Sequence, residues 1–147
     1  MLAWISSHHI LLIAIVLTAI LAVWKGGWAE RVGGLTNLAL AAFFTYAQFY
    51  LAPGGLPTAE LCADGLAALI FLALAVRFAS WWLGATMLLQ GAQFSLHAYY
   101  YVTERHQDFL WALVNNTVSW GVVWCILAGV VASWRKGARI ARSESAA

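Results

Sequence analysis

Residues 59–82 read AELCADGLAALIFLALAVRFASWW. Glu60 and Asp64 stand one helical turn apart at the start of this stretch. From Gly65 to Val76 there is no polar side chain, and Arg77 closes the run. A break of only a few residues then leads to Trp81 and Trp82. Two apolar segments joined so tightly must lie side by side and antiparallel. The first runs from about Ala59 to Phe78 and the second from about Trp81 to Val102. Each is long enough to cross a lipid bilayer as a helix.

The rest of the chain repeats this grammar. A segment from Trp4 to Trp24 precedes Lys25-Gly26-Gly27-Trp28, and another from Leu35 to Ala52 ends at the turn cluster Pro53-Gly54-Gly55. After the loop Glu104-Arg105-His106-Gln107-Asp108, a final segment runs from Phe109 to Trp134. The first segment lacks the basic start and small-residue cleavage site of a signal peptide, so it reads as retained. The predicted fold class is therefore all-α, an integral membrane bundle of five transmembrane helices. Residues 1–134 form a single domain, and 135–147 form a basic, disordered cytoplasmic tail.

Charge fixes the expected orientation. Of eight Lys and Arg, seven lie after the first, third and fifth segments: Lys25, Arg31, Arg77, Arg135, Lys136, Arg139 and Arg142. Only Arg105 lies on the other side. Short loops rich in Lys and Arg stay in the cytoplasm, which places the N-terminus outside and the C-terminus inside. Tryptophan, which favours membrane interfaces, agrees. Trp4 and Trp111 fall at outer ends, and Trp24, Trp28, Trp81, Trp82 and Trp134 at inner ends. Only Trp120 and Trp124 fall mid-span. A faint echo links Leu21-Ala22-Val23 to Leu74-Ala75-Val76, and Ala47-Gln48-Phe49 to Ala92-Gln93-Phe94, as a duplicated two-helix unit would.

Composition excludes a water-soluble globule. The chain is 63% hydrophobic and 10% charged, against about 25% charged in soluble domains. A net charge of +2 is an orientation signal, not a nucleic-acid footprint. The expected location is the inner (cytoplasmic) membrane, as a multi-pass protein among lipid.

Polar side chains within lipid are costly and often mark function. Here they gather in the outer half: Thr45, Tyr46, Gln48 and Tyr50; Glu60 and Asp64; Gln90, Gln93 and His97; Asn115, Asn116, Thr117 and Ser119. Thr86, Gln90, Gln93, His97 and Tyr100 recur at helical spacing and share one face. At 1.5 Å rise per residue, Tyr46, Asp64, His97 and Asn115 lie roughly 7–9 Å below the outer surface. Asp64 either snorkels to the interface or pairs with His97 at similar depth, in which case the carboxylate would fix the imidazole tautomer. The expected ligand-binding set is Asp64, His97, Gln93, Gln90, Gln48, Tyr46, Asn115 and Asn116, with Trp120 as an apolar wall; Trp124, on the face that Asn116 and Trp120 share, would line the pocket floor or pack between helices. Glu60, nearer the surface, reads as solvated.

Imidazoles can also hold haem iron or a transition metal, for which His8, His9 and His97 are candidates. No haem motif or metal-ligand spacing accompanies them. There is no phosphate-binding Gly loop, no His-Glu-x-x-His and no nucleophile triad, so nothing argues for an enzyme. Gly121, Cys125, Gly129 and Ser133 recur every four residues as a small-residue packing face.

Asp64, Arg77, Trp81-Trp82, Gln90, His97 and the final apolar helix resemble small uncharacterised bacterial multi-pass membrane proteins, across the second half of the chain. That resemblance implies no activity. Size, span number and Trp content are similar in architecture to the tryptophan-rich sensory protein (translocator protein) family, whose Trp- and Pro-rich loop motifs are absent here. Three functions follow as expectations. The first is a non-enzymatic protein with an outward-facing pocket for a small or lipid-soluble ligand. The second is an accessory subunit of a larger membrane complex, or a homo-oligomer, whose polar stripe meets a partner helix. The third is a haem- or quinone-linked redox protein.

Overall fold

The computed structural model describes the main chain of residues 2–51 and 56–144, and the side chains of 9–51, 57–139 and 142. The Pro53-Gly54-Gly55 turn and the side chains of Trp4 and His8 lie outside the described residues. Among the described residues there are five α-helices and no strand. They are α1 (Leu2–Lys25), α2 (Trp28–Tyr50), α3 (Leu56–Phe78), α4 (Trp81–Val102) and α5 (Phe109–Glu144).

Two-residue connections pair the helices into antiparallel hairpins. Gly26 and Gly27 join α1 to α2, and Ala79 and Ser80 join α3 to α4. Ala79 takes φ 47°, in the left-handed region that ends many helices. Its N–H donates to the Ala75 carbonyl at 2.9 Å. Both turns lie at one end of the molecule, called here the floor; residues 103–108 join α4 to α5 at the other end, the mouth.

The helices close a ring. Each packs on its sequence neighbours, α5 packs on α1, and α2 and α5 touch across the middle. A hydrogen bond from Gly27 N–H to Ser133 Oγ (3.1 Å) fastens the first turn to the last helix. The inner surface of the floor half is apolar and tightly filled by Phe71, Trp82, Leu83, Val122 and Ile126. The outer surface is also apolar, with Ile13, Leu17, Leu66, Leu69, Leu88 and Trp124 all exposed. Asp64, Thr86, Gln90, Gln93 and His97 are buried instead. Buried polar side chains and large exposed apolar ones thus occur together in this ring.

Among the described residues two helical stretches, Pro57–Phe78 and Phe109–Arg139, are long and apolar enough to cross a membrane. The rest of the chain buries 22% and 33% of the apolar windows of these two stretches.

Three sequence expectations need correction and a fourth needs refinement. α2 begins at Trp28, seven residues before the expected Leu35, because Gly33 and Gly34 are contact sites and not a break. A Cβ on Gly34 would stand 2.8 Å from Ala22 Cβ, and one on Gly33 would stand 3.4 Å from the Phe71 ring. The longer α2 also carries Glu30 in its first turn, where the helix dipole favours an anion. The segment expected as a disordered tail continues α5 as far as Glu144, with Arg142 in the last turn complementing the dipole. Trp82 stands at the end of its helix as expected but turns to the core: it is 2% exposed while its neighbour Trp81 is 70% exposed. Residues one apart on a helix point about 100° apart, so one faces the core and the other faces out. Trp124, expected at the pocket floor or between helices, is exposed on the outside.

Candidate ligand pocket

The α4 stripe faces inward as its spacing predicts: Thr86, Gln90, Gln93, His97 and Tyr100 are all buried. Asp64 on α3 meets it and is fully buried. One carboxylate oxygen accepts a hydrogen bond from Gln90 Nε2 at 3.1 Å. The other contacts His97 Nδ1. An ionised carboxylate only accepts, so with Asp64 ionised Nδ1 is the donor of this contact. Of the two expectations for Asp64, the pair with His97 is the one formed. Next to it Gln93 Nε2 donates to Asn115 Oδ1 at 2.5 Å, tying α4 to α5.

These groups border a cavity of about 220 Å³ in the mouth half, to which all five helices contribute. Leu11, Leu12 and Ile15 of α1 form an apolar wall, continued by Leu40 and Phe44 of α2. The polar side is built from Asp64, Gln90, Gln93, His97, Asn115 and Asn116, with Gln48 on α2. Val122, part of the apolar floor cluster, closes the bottom.

Among the described residues two buried nitrogens on cavity-lining side chains, His97 Nε2 and Asn37 Nδ2, have no hydrogen-bond partner. Leaving a buried polar atom unpaired costs about 1–3 kcal/mol. Nearly all other buried polar groups of a folded protein find a partner. With Nδ1–H committed to Asp64, the neutral imidazole offers Nε2 as an acceptor, and the charged one offers it as a donor. Asn37 Nδ2 is a donor. Both residues that carry these nitrogens line the cavity, and nothing among the described residues satisfies either atom.

Above it lies a wider vestibule of about 560 Å³, lined by Pro57, Tyr100, Tyr101 and Arg105 among others. Glu60, His97, Gln107 and Trp111 line both chambers and so form the boundary between them. The Trp111 ring stacks on the His97 ring, with centroids 5.6 Å apart and planes 22° apart. Trp111 is held from the loop side by Asp108, which caps α5: its Oδ1 accepts the Trp111 N–H at 2.9 Å. The same oxygen accepts the Tyr100 hydroxyl at 2.6 Å. That hydroxyl, more than any other group, holds the Asp108 carboxyl below the ordinary carboxylate range, with the Trp111 N–H adding to it. Arg105 stands 3.7 Å from the other carboxylate oxygen. Asp108 therefore latches the mouth loop to both α4 and the imidazole-stacking Trp111.

Of the nine expected ligand-binding residues, seven line the cavity; Tyr46 and Trp120 do not. Tyr46 is exposed and stacks on Tyr50 on the outer face of α2. Trp120 packs beside the Leu11, Ile15 and Val123 cluster. Glu60, expected to be solvated, is 9% exposed on the chamber boundary. Asn37, Gln107 and Trp111 were missed. The spacing Asn37–Ala41–Thr45–Gln48 on α2, all cavity-lining, carries the signal that finds Asn37. The spacing Trp111–Asn115–Ser119–Val122 does the same for Trp111 on α5.

Among the metal candidates, His9 is exposed and does not line the cavity, and the side chain of His8 lies outside the described residues. Among the described residues no three His, Cys, Asp or Glu side chains converge as a metal cluster. No protein-family model matches this chain, and no curated protein or solved structure is significantly similar to it.

Proposed function

We propose that this chain is a non-enzymatic multi-pass membrane protein whose mouth-half cavity binds a small or lipid-soluble ligand. In this reading α1 to α5 all cross the inner membrane, with the mouth outside and the floor in the cytoplasm. The apolar exterior of every helix supports insertion. The Lys and Arg at the floor end, Lys25, Arg31, Arg77 and Arg135 among them, support the orientation. Cysteines placed at Arg105 and Arg139 test it: the first should react with an impermeant maleimide in intact cells, and the second only after lysis.

The single observation that carries ligand binding is the pair of unpartnered buried nitrogens on His97 and Asn37, two residues that line one cavity. An apolar cavity with a few convergent polar groups is the usual form of a small-molecule site. The rival subunit reading needs the α4 stripe to serve a partner helix. Gln90, Gln93 and His97 instead spend hydrogen bonds on Asp64 and Asn115 within the chain.

Native mass spectrometry of the protein, extracted from its own membranes in mild detergent, tests the proposal. A bound small mass is expected on the wild type and should be absent from His97→Ala and Asp64→Ala. Variants that keep both the bound mass and the wild-type melting temperature would sink it. A chain recovered only with a second polypeptide would favour the subunit reading.

A further inference from the structure

The cavity has a neighbour on the outer face of the molecule. An apolar groove of about 490 Å³ runs between α1 and α2, lined by Val16, Leu38, Ala42, Phe49 and Tyr50 among others. Leu12, Ile15, Ala41 and Thr45 line both the groove and the polar cavity. A polar chamber and an apolar channel therefore meet across four side chains, two of them no larger than threonine. That juxtaposition fits one molecule with a compact polar head and a long apolar tail.

The chamber constrains the head. Its volume of about 220 Å³ exceeds the roughly 150 Å³ that encloses benzene, so it takes a single substituted ring. No Lys or Arg lines it, while Glu60 and Asp64 do. A phosphate or carboxylate head would meet two acids and no counter-charge. The unpartnered atoms ask for oxygens that both donate and accept: a hydroxyl proton for a neutral His97 Nε2, and an oxygen lone pair for Asn37 Nδ2. Phe44 and Trp111 supply aromatic wall for a flat ring.

Resting on the ligand-pocket reading above, we propose that the ligand is a lipid-soluble quinol, its dihydroxy ring in the cavity between His97 and Asn37 and its isoprenoid tail in the α1–α2 groove. One ring hydroxyl donates to His97 Nε2, and the oxygen across the ring accepts from Asn37 Nδ2. The tail leaves sideways past Ala41 and Thr45, so loading occurs from the lipid and not through the vestibule.

The test uses the full chain in lipid nanodiscs titrated with decylubiquinol, with its tailless dimethoxy-methyl hydroquinone head, and with dodecyltrimethylammonium. Binding is read by calorimetry and by melting temperature. One decylubiquinol per chain is expected, bound at least tenfold more tightly than the tailless head. Asn37→Ala should weaken decylubiquinol about tenfold; the lost Nδ2 makes no bond among the described residues, so folding should be kept. Ala41→Phe should erase the advantage of the tail while leaving the tailless head bound. If dodecyltrimethylammonium binds in a His97- and Asn37-dependent way and decylubiquinol does not, the quinol assignment falls and the pocket stands. If no probe binds, and the protein from its own membranes carries no bound mass, both fall.

Discussion

The floor and mouth halves of this ring are built on opposite principles. The floor is tight and, apart from a few buried groups such as Glu30 and Thr86, apolar: Trp82 lies against Gly129, where an added Cβ would come within 2.6 Å of its ring, and Phe71, Leu83 and Ile126 are fully buried around it. The mouth is polar and hollow, with hydrogen bonds in place of close packing and two nitrogens left over. Packing energy is concentrated where there is no chemistry, and chemistry where packing is incomplete. Stability and binding should then respond to different residues.

The sharpest way to break this division is Phe71→Ala. Emptying a fully buried Phe site in the floor should cost about 4 kcal/mol, read as a large drop in the denaturation midpoint. Any ligand held by the surviving folded fraction should be unchanged in affinity. A loss of affinity with little loss of stability would show that the halves are not separate.

Next comes Gly129→Ala. The new methyl group would have to displace the Trp82 ring, an overpacking cost of about 2 kcal/mol. Pairing it with Trp82→Phe should recover part of that loss, because a smaller ring leaves room. Failure of the pair to recover anything would place the strain elsewhere.

A smaller effect is expected from pH at the mouth latch. Asp108 has its carboxyl held below the ordinary range, chiefly by the Tyr100 hydroxyl and then by the Trp111 N–H. A depressed carboxyl stabilises the fold fully above its unfolded pKa of about 3.9 and loses that contribution as pH falls through the lower folded value. Melting temperature should therefore decline on acidification below about pH 4. In Asp108→Asn the melting temperature should be lower at neutral pH, and its acid-side decline shallower. Equal pH profiles for the two proteins would remove the latch.

The smallest change is Asn37→Ala. Removing a buried donor that has no partner takes away an unpaired group, so the ligand-free protein should be no less stable than the wild type. A substantial destabilisation would mean that Asn37 belongs to the packing of the bundle, and the comparison between halves would need redrawing.

Periodicity made much of this legible. The α4 stripe follows from spacing, because a polar face repeated over four turns has one place to go; similar depth made the Asp64–His97 pair one of two outcomes for Asp64. Single positions were harder. Tyr46 and Thr45 are neighbours in sequence, yet Thr45 lines the cavity while Tyr46 faces out. Trp81 and Trp82 divide the same way. Composition names the residue type in a turn, but the rotation of each helix about its axis decides which neighbour enters. Helix ends were obscured where glycine serves contact and not turning, as Gly33 and Gly34 do. Glu60 was misjudged because depth along the helix alone says nothing about what α4 and α5 place above it.

The bond between Gly27 and Ser133 spans 106 positions of the chain. During synthesis the first hairpin leaves the ribosome long before the helix that fastens it. Until α5 arrives, one wall is missing and Asp64, Gln90 and Gln93 face an open side. The cavity is thus a property of the finished polypeptide only.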